Sequence, residues 1–241
     1  MSLDLGDDTL ANLRSAATAT LAGVMQKRGI RWTFRSGRLP IKPGQRMVGR
    51  ARTRRYLPMR EDLIERYSSR INEQRTVVES LGPGDVLVIE ARNEPDAGTI
   101  GDIYAMRAIQ LGAVGVITDG AVRDSPALAA MDIPIYLRAQ HAATYRRLHM
   151  PVDHDVPIAC AGVTVIPGDV MVGDEEGVVV IPAAIVDEVY EVEQLAHGER
   201  HGAERTAWSV AAPGDRRGAC NDDGSCARLP SSFRTGDVRH D

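Results

Sequence analysis

The 241 residues carry a net charge of −4, with 43 % apolar residues and 4 % aromatics. That length suits one large domain, and the apolar share is that of a globular protein whose core is built mostly from Val, Ile, Leu and Ala. The acidic balance gives no electrostatic footprint for nucleic acid, no apolar run approaches membrane-spanning length, and Cys160, Cys220 and Cys226 make no disulfide framework.

In chain order, the opening "MSLDLGDDTL" is acidic and lacks the basic and apolar regions of a signal peptide, so a cytoplasmic protein is expected. Leu13, Ala17, Leu21, Val24 and Met25 fall at helical spacing, which predicts a helix over 12–28 stopped by Gly29. "QRMVGRARTRRYL" alternates like a strand, with Arg50, Arg52 and Arg54 on one side and Gly49, Ala51 and Thr53 on the other. Residues 62–80 are polar and read as a helix or a mobile excursion. After the turn "GPG", "DVLVIEA" at 85–91 is a buried strand. A helix at 102–111, a strand at 114–118 and a short strand at 133–138 follow. Residues 162–182 hold two or three strands, and an amphipathic helix with Ile185, Val186, Val189, Tyr190 and Val192 starts near Pro182. Helices and strands alternate in the middle and strands cluster later. That order predicts an α/β fold with a mixed sheet curled toward a barrel and flanked by helices. Residues 1–197 form the expected single domain. Residues 198–241, rich in Gly, Arg, Asp and Ser, read as a flexible tail.

Two short motifs carry chemistry. Gly101-Asp102 opens a helix whose first amides, near Ile103 and Tyr104, have no partner within the helix and suit a small carboxylate. Arg123-Asp124 follows the 114–118 strand, where open α/β sheets place their ligands. Arginine offers a fork that matches a carboxylate, and aspartate is a hard oxygen ligand for a divalent metal. Each pair alone is explained by a helix cap or a surface ion pair. Together they differ, because one helix–turn–strand unit returns the chain to the edge it left, so both pairs can meet at one rim.

The stretch "GDIYAMRAIQLGAVGVITDGAVRDS" resembles the signature of class II pyruvate aldolases acting on 4-hydroxy-4-methyl-2-oxoglutarate, which share a fold with the regulators of ribonuclease activity A. Asp102, Arg123 and Asp124 meet that family's pattern of an acid, twenty residues, then Arg-Asp. "ATATLAGVMQKRGI", "MVGRARTRRYLPMRED" and "GVTVIPGDVMVGDEEGVVVIP" extend the likeness over residues 12 to 195. The resemblance implies an RraA-like α/β/β/α fold and Mg2+ (or Mn2+) on Asp124. It also implies Arg123 on the enolate oxygen of a small 2-oxo acid, and the amides near Gly101, Ile103 and Tyr104 on its carboxylate. Asp102 would be a base acting through water, and Glu199 a candidate carboxylate from a neighbouring subunit. The expected reaction releases pyruvate from 4-hydroxy-2-oxo acids, with oxaloacetate decarboxylation as a side activity. A homotrimer, or a hexamer of two rings, is the expected assembly. A non-catalytic regulator that binds a ribonuclease or helicase partner, or a hydratase using the same chelated oxo acid, are the alternatives.

Other residues read as structure. His141, His149, His154, His197, His201 and His240 lack metal-ligand spacing and are expected on the surface or in the tail. Cys160 reads as a small buried residue. The arginines at 50, 52, 54 and 55 are expected on a solvated strand face or a subunit contact rather than on RNA. Asp169, Asp174, Glu175 and Glu176 are expected to make turns, with Asp174 a lesser candidate for lining the site.

Overall fold

In the computed structural model, which describes residues 7–31, 33–35, 39–63, 65 and 73–192, the longest element is the strand β3, Met47–Pro58. One edge of β3 pairs parallel with β4 (Asp85–Glu90), β4 with β5 (Gly115–Thr118), and β5 with β7 (Ile135–Leu137). Its other edge is shared. β12 (Val170–Asp174) runs antiparallel to Met47 through Arg50, and β9 (His149–His154) runs antiparallel to Arg54 through Pro58. β13 (Gly177–Ile181) and β1 (Phe34–Arg35) continue the sheet beyond β12, while β2 (Leu39–Pro40) closes the far side against β7. The result is the expected mixed sheet, curled into a half-barrel with helices against it. A hairpin, β10 (Ile158–Cys160) with β11 (Val163–Val165), and a parallel pair, β6 (Ala121–Val122) with β8 (Ala139–Gln140), stand outside it.

Apolar side chains pack against both faces of this sheet, and the period-two alternation of its strands sorts them between the two. Met47, Ala51, Val86, Val88, Ile117, Tyr136, Met171 and Val180 pack on the inner side with Cys160, Val163 and Val165 of the hairpin. Their neighbours Leu87, Ile89, Val116 and Ile135 point outward to α3 (Glu73–Glu79), α4 (Asp102–Gln110) and α5 (Ser125–Ala130). At the other end Val48, Val170, Val172, Val179 and Ile181 meet α1 (Asp7–Leu13), α2 (Thr18–Lys27) and the helical turns at 186–192. The inner side is tight. A Cβ on Gly173 would lie 2.7 Å from the Tyr136 ring, whose hydroxyl donates to Asp174 O at 3.0 Å.

Three sequence expectations need correction. The helix predicted over 12–28 is broken: α1 ends at Leu13, the chain turns through Ser15 N to Asn12 O, and α2 starts at Thr18. The break moves Ala16 and Thr18 inward and leaves Ala17 exposed. Its cause is Asp174, which accepts from Thr18 N at 2.9 Å and Thr18 Oγ1 at 2.7 Å, capping α2 from a distant strand. Asp174 also accepts from Glu176 N and is a structural residue away from the cleft described below. Asp169 makes the expected turn, accepting from Ile166 N and Ala183 N, and Glu175 accepts from Gly44 N.

The arginine stripe is the second correction. Arg50 is half-buried, Arg52 binds Asp155 and Asp85, and Arg55 lies 3.7 Å from Glu90. Arg54 is fully buried, its guanidinium 4.9 Å from the Tyr56 ring centroid. Arg54 shares its side of β3 with Tyr56, and at this end of the strand that side is buried, with Tyr56 packed among Val77 and Val78 of α3.

The third is His149, which is fully buried rather than on the surface. Its ring lies 5.4 Å from that of Tyr56, and its Nδ1 faces Arg92 Nη2 at 3.1 Å. Arginine can only donate, so Nδ1 accepts and the ring is neutral. Burial, and then the Arg92 charge, push its pKa down to about 4. Burial likewise pushes the Tyr56 hydroxyl up. His197, His201, His240 and the 198–241 tail lie outside the described residues. A histidine whose folded pKa is depressed favours the fold fully above its unfolded value, near 6.5, and loses that contribution as pH falls toward 4. The difference in melting temperature, wild type minus His149→Leu, is therefore expected to fall as the pH drops from 7 to 4. A gap independent of pH would contradict a neutral, buried His149.

Candidate functional site

Parallel strands β4 and β5 are neighbours, and the chain leaves both at the same end. The two loops that follow are laced together by backbone. Thr99 N donates to Ala121 O at 2.8 Å, Arg123 N donates to Ile100 O at 2.9 Å, and Gly98 bridges both Ala121 and Thr144. Side chains reinforce the seam. Thr99 Oγ1 reaches Ala121 O at 3.0 Å and Thr118 Oγ1 at 3.1 Å. Below it, the buried Asp119 carboxylate accepts from the amides of Ala91, Asn93 and Ala161. The expected meeting of Gly101-Asp102 with Arg123-Asp124 thus follows from strand adjacency.

The glycines on this seam are required by close approach. A Cβ on Gly98 would lie 3.0 Å from the Arg123 backbone and side chain, and one on Gly101 would overlap Asp124 Oδ2. Asp124 itself holds a left-handed backbone, φ 56° and ψ 33°, a region uncommon outside glycine. It stands at the N-cap of α5 yet makes no capping hydrogen bond. Its carboxylate faces Arg123, with Nε to Oδ2 at 3.5 Å, and both side chains are about a third exposed.

Gly101, Asp102, Ile103, Tyr104, Arg123 and Asp124 all line one cleft of about 480 Å³. Asp102 Oδ1 accepts from the Ile103 amide at 2.7 Å, so that amide is already engaged by its neighbour's carboxylate. The Ile103 side chain is 79 % exposed at the rim. The opposite wall comes from residues that carried no sequence signal: Gln74 on α3, and Thr144, Tyr145 and Arg146 on the turn before β9. Arg146 Nε lies 3.5 Å from Tyr145 OH, and the Tyr145 ring packs at a tilt against Tyr56, centroids 5.6 Å apart. Only the long-range fold brings these residues to the motif. Glu199 lies outside the described residues. A larger groove of about 680 Å³ runs along the outer face of α4 past Met106 and Arg107. It shares Asp102 but lacks Arg123 and Asp124, so the convergent charges belong to the smaller cleft.

Among the described residues no three His, Cys, Asp or Glu side chains gather into a metal cage. The donor set fits a hard cation all the same. Asp124 offers an uncapped, accessible carboxylate, Gly101 leaves room beside it, and Mg2+ characteristically takes one or two carboxylates and keeps several waters. No helix among the described residues is long and apolar enough to cross a membrane.

A family model described as "RraA-like: Aldolase/RraA" matches residues 18–180. The chain is 36 % identical over 123 residues to a Halalkalibacterium halodurans protein named "Putative 4-hydroxy-4-methyl-2-oxoglutarate aldolase"; the match covers 51 % of this chain and 58 % of that protein. It therefore spans little more than half of that relative. Among solved structures, Streptomyces coelicolor RraAS2, described as an unusual member of the RNase ES inhibitor RraA protein family, superposes with a TM-score of 0.74 at 28 % identity. That match covers 83 % of this chain and 97 % of the other. The RNA-processing inhibitor RraA from Thermus gives 0.53 at 26 % identity, over 70 % and 93 % of the two chains. With its fold and its 18–180 segment matched in this way, the chain belongs to the RraA-like family.

Proposed function

We propose that the chain is a divalent-metal-dependent lyase that cleaves 4-hydroxy-2-oxo acids to pyruvate and a carbonyl product, with oxaloacetate decarboxylation as a side activity. The observation that carries this reading is the convergence of Asp102, Arg123 and Asp124 on one cleft, beside a helix N-terminus. The aldolase name of the Halalkalibacterium relative supports it.

Asp124 would hold Mg2+ or Mn2+, which when bound supplies Lewis-acid stabilisation of the 2-oxo acid's carbonyl oxygen. The first amides of α4, at Ile103 and Tyr104, would bind the substrate's carboxylate once Asp102 releases the Ile103 amide. Asp102, acting through a water, takes the proton from the C4 hydroxyl. The C3–C4 bond then breaks, C4 leaves as a carbonyl, and the electron pair passes to C3 and the C2 oxygen as pyruvate enolate. Arg123 stabilises the charge that develops on that oxygen. A proton delivered to C3 completes pyruvate. Decarboxylation of oxaloacetate reaches the same enolate by losing CO2, with no hydroxyl proton to remove.

A second reading is a regulator that binds a ribonuclease or helicase, in line with the Streptomyces and Thermus relatives. It gives no use to an uncapped Asp124 in a left-handed backbone. The exposed Ile103 and Met106 support burial against another copy, and with it the proposed trimer or hexamer.

Asp124→Ala is expected to abolish pyruvate release while the protein stays folded. Gly101→Ala, which pushes the Asp124 carboxylate aside, is expected to weaken Mn2+ binding and turnover together. Full activity of Asp124→Ala with Mg2+ present would refute the metal assignment. Arg123→Lys keeps the charge and loses the planar fork, with an expected fall in turnover on the order of 100-fold. Asp102→Asn keeps the shape and removes the base, so aldol cleavage is expected to fail while oxaloacetate decarboxylation suffers less and oxalate still inhibits. Equal losses in both reactions would rule out Asp102 as the base.

A further inference from the structure

Gln74 lies on α3 and lines the cleft, yet the residue is only 3 % exposed. Its Nε2 donates to Thr99 O at 2.5 Å. A backbone carbonyl can only accept, so this contact fixes which way round the carboxamide sits. The acceptor, Oε1, is therefore on the other branch of the amide. It is buried and has no hydrogen-bond partner among the described residues. Native proteins rarely leave such an oxygen unpaired without a ligand, ion or water to meet it.

Gln74 and Asp124 flank the same strip of backbone. Gln74 grips Thr99 O, and two residues on, Asp124 Oδ2 fills the space where a Gly101 side chain would start. With no cage of three metal-ligating side chains among the described residues, a cation on Asp124 keeps much of its shell as water. Each such water turns acidified protons outward, and those protons need acceptors. Arg123 and Arg146 can only donate. Asp102 is reserved for the substrate's proton. Of the acceptors that line the cleft, the Gln74 amide oxygen is the one that is buried and lacks a partner, and it adds no negative charge beside a carboxylate substrate.

We propose that Gln74 is a positioning residue for the divalent cation, its Oε1 accepting a hydrogen bond from a water that the cation holds. This rests on the metal site at Asp124. Partners of this kind outside the ligand sphere typically change metal affinity by 10- to 100-fold when removed.

The test is Mn2+ titration by calorimetry on wild type, Gln74→Met, Gln74→Glu and Asp124→Ala, with melting temperatures measured in chelator. Gln74→Met keeps the shape and loses the acceptor, and Thr99 O retains the Tyr56 hydroxyl at 3.4 Å. It is expected to bind Mn2+ about tenfold more weakly or worse, with a metal-free melting temperature close to wild type. Gln74→Glu, protonated on the oxygen that faces Thr99 O, keeps an acceptor in place and is expected to recover most of the affinity. Wild-type affinity in Gln74→Met would overturn the proposal. Should Gln74→Met not fold, a crystal of wild type soaked in Mn2+ decides it. A water shared by the cation and Oε1, within about 3.2 Å of the latter, is expected, and its absence overturns the proposal. Failure of the underlying metal site looks different: wild type would bind no Mn2+, or Asp124→Ala would bind it equally well.

Discussion

Two backbone hydrogen bonds, Thr99 N to Ala121 O and Arg123 N to Ile100 O, join the loops that leave β4 and β5. Everything that the cleft can do depends on that seam. It is short enough to bring a helix N-terminus beside an Arg-Asp pair, and it works only because Gly98 and Gly101 carry no side chain there. The left-handed Asp124 is the local cost. A backbone in that region typically costs on the order of 1 kcal/mol or more, and the surrounding hydrogen bonds hold it in place. Strain kept in a carboxylate that caps nothing is more readily understood as a binding feature than as a packing one.

Behind the seam lies a polar layer that a Val- and Ile-rich protein would not otherwise need. Thr99 O accepts from Gln74 and Tyr56, and Tyr56 in turn packs against Tyr145, His149 and Arg54. Tyr145 and Gln74 reach the cleft from this layer, while His149 and Arg54 stay fully buried. Few aromatics are present in the chain, and three of its tyrosines are spent on this layer and on the Tyr136 contact with Gly173. The layer ties the cleft floor to β3 and β9, strands that lie outside the motif in sequence on either side.

The motif itself was legible in the sequence because its parts sit on one helix–strand unit, where local periodicity locates each residue. The strands 85–90, 115–118 and 170–181 were legible for the same reason: their alternation or continuous burial follows from local pattern. What escaped was set by contacts distant in sequence. Asp174 caps α2 across the chain and breaks a helix that looked continuous. Arg54 shares a buried side of β3 with Tyr56, and His149 of β9 is buried beside the same ring. Gln74 and Tyr145 look like ordinary polar residues until the sheet curls and sets them across from Asp102. Short strands such as β6, β8 and β10 have too few residues to show a period.

The central claim is that the Asp102, Arg123 and Asp124 cleft performs carbon–carbon bond cleavage that needs a divalent cation. Its most direct test is pyruvate release by the purified wild-type chain from a panel of 4-hydroxy-2-oxo acids and oxaloacetate, in Mg2+ and in chelator. Pyruvate formation in Mg2+ that stops in chelator and returns when Mg2+ is restored is the predicted result. No pyruvate from any member of the panel, or release that ignores the chelator, would contradict the account.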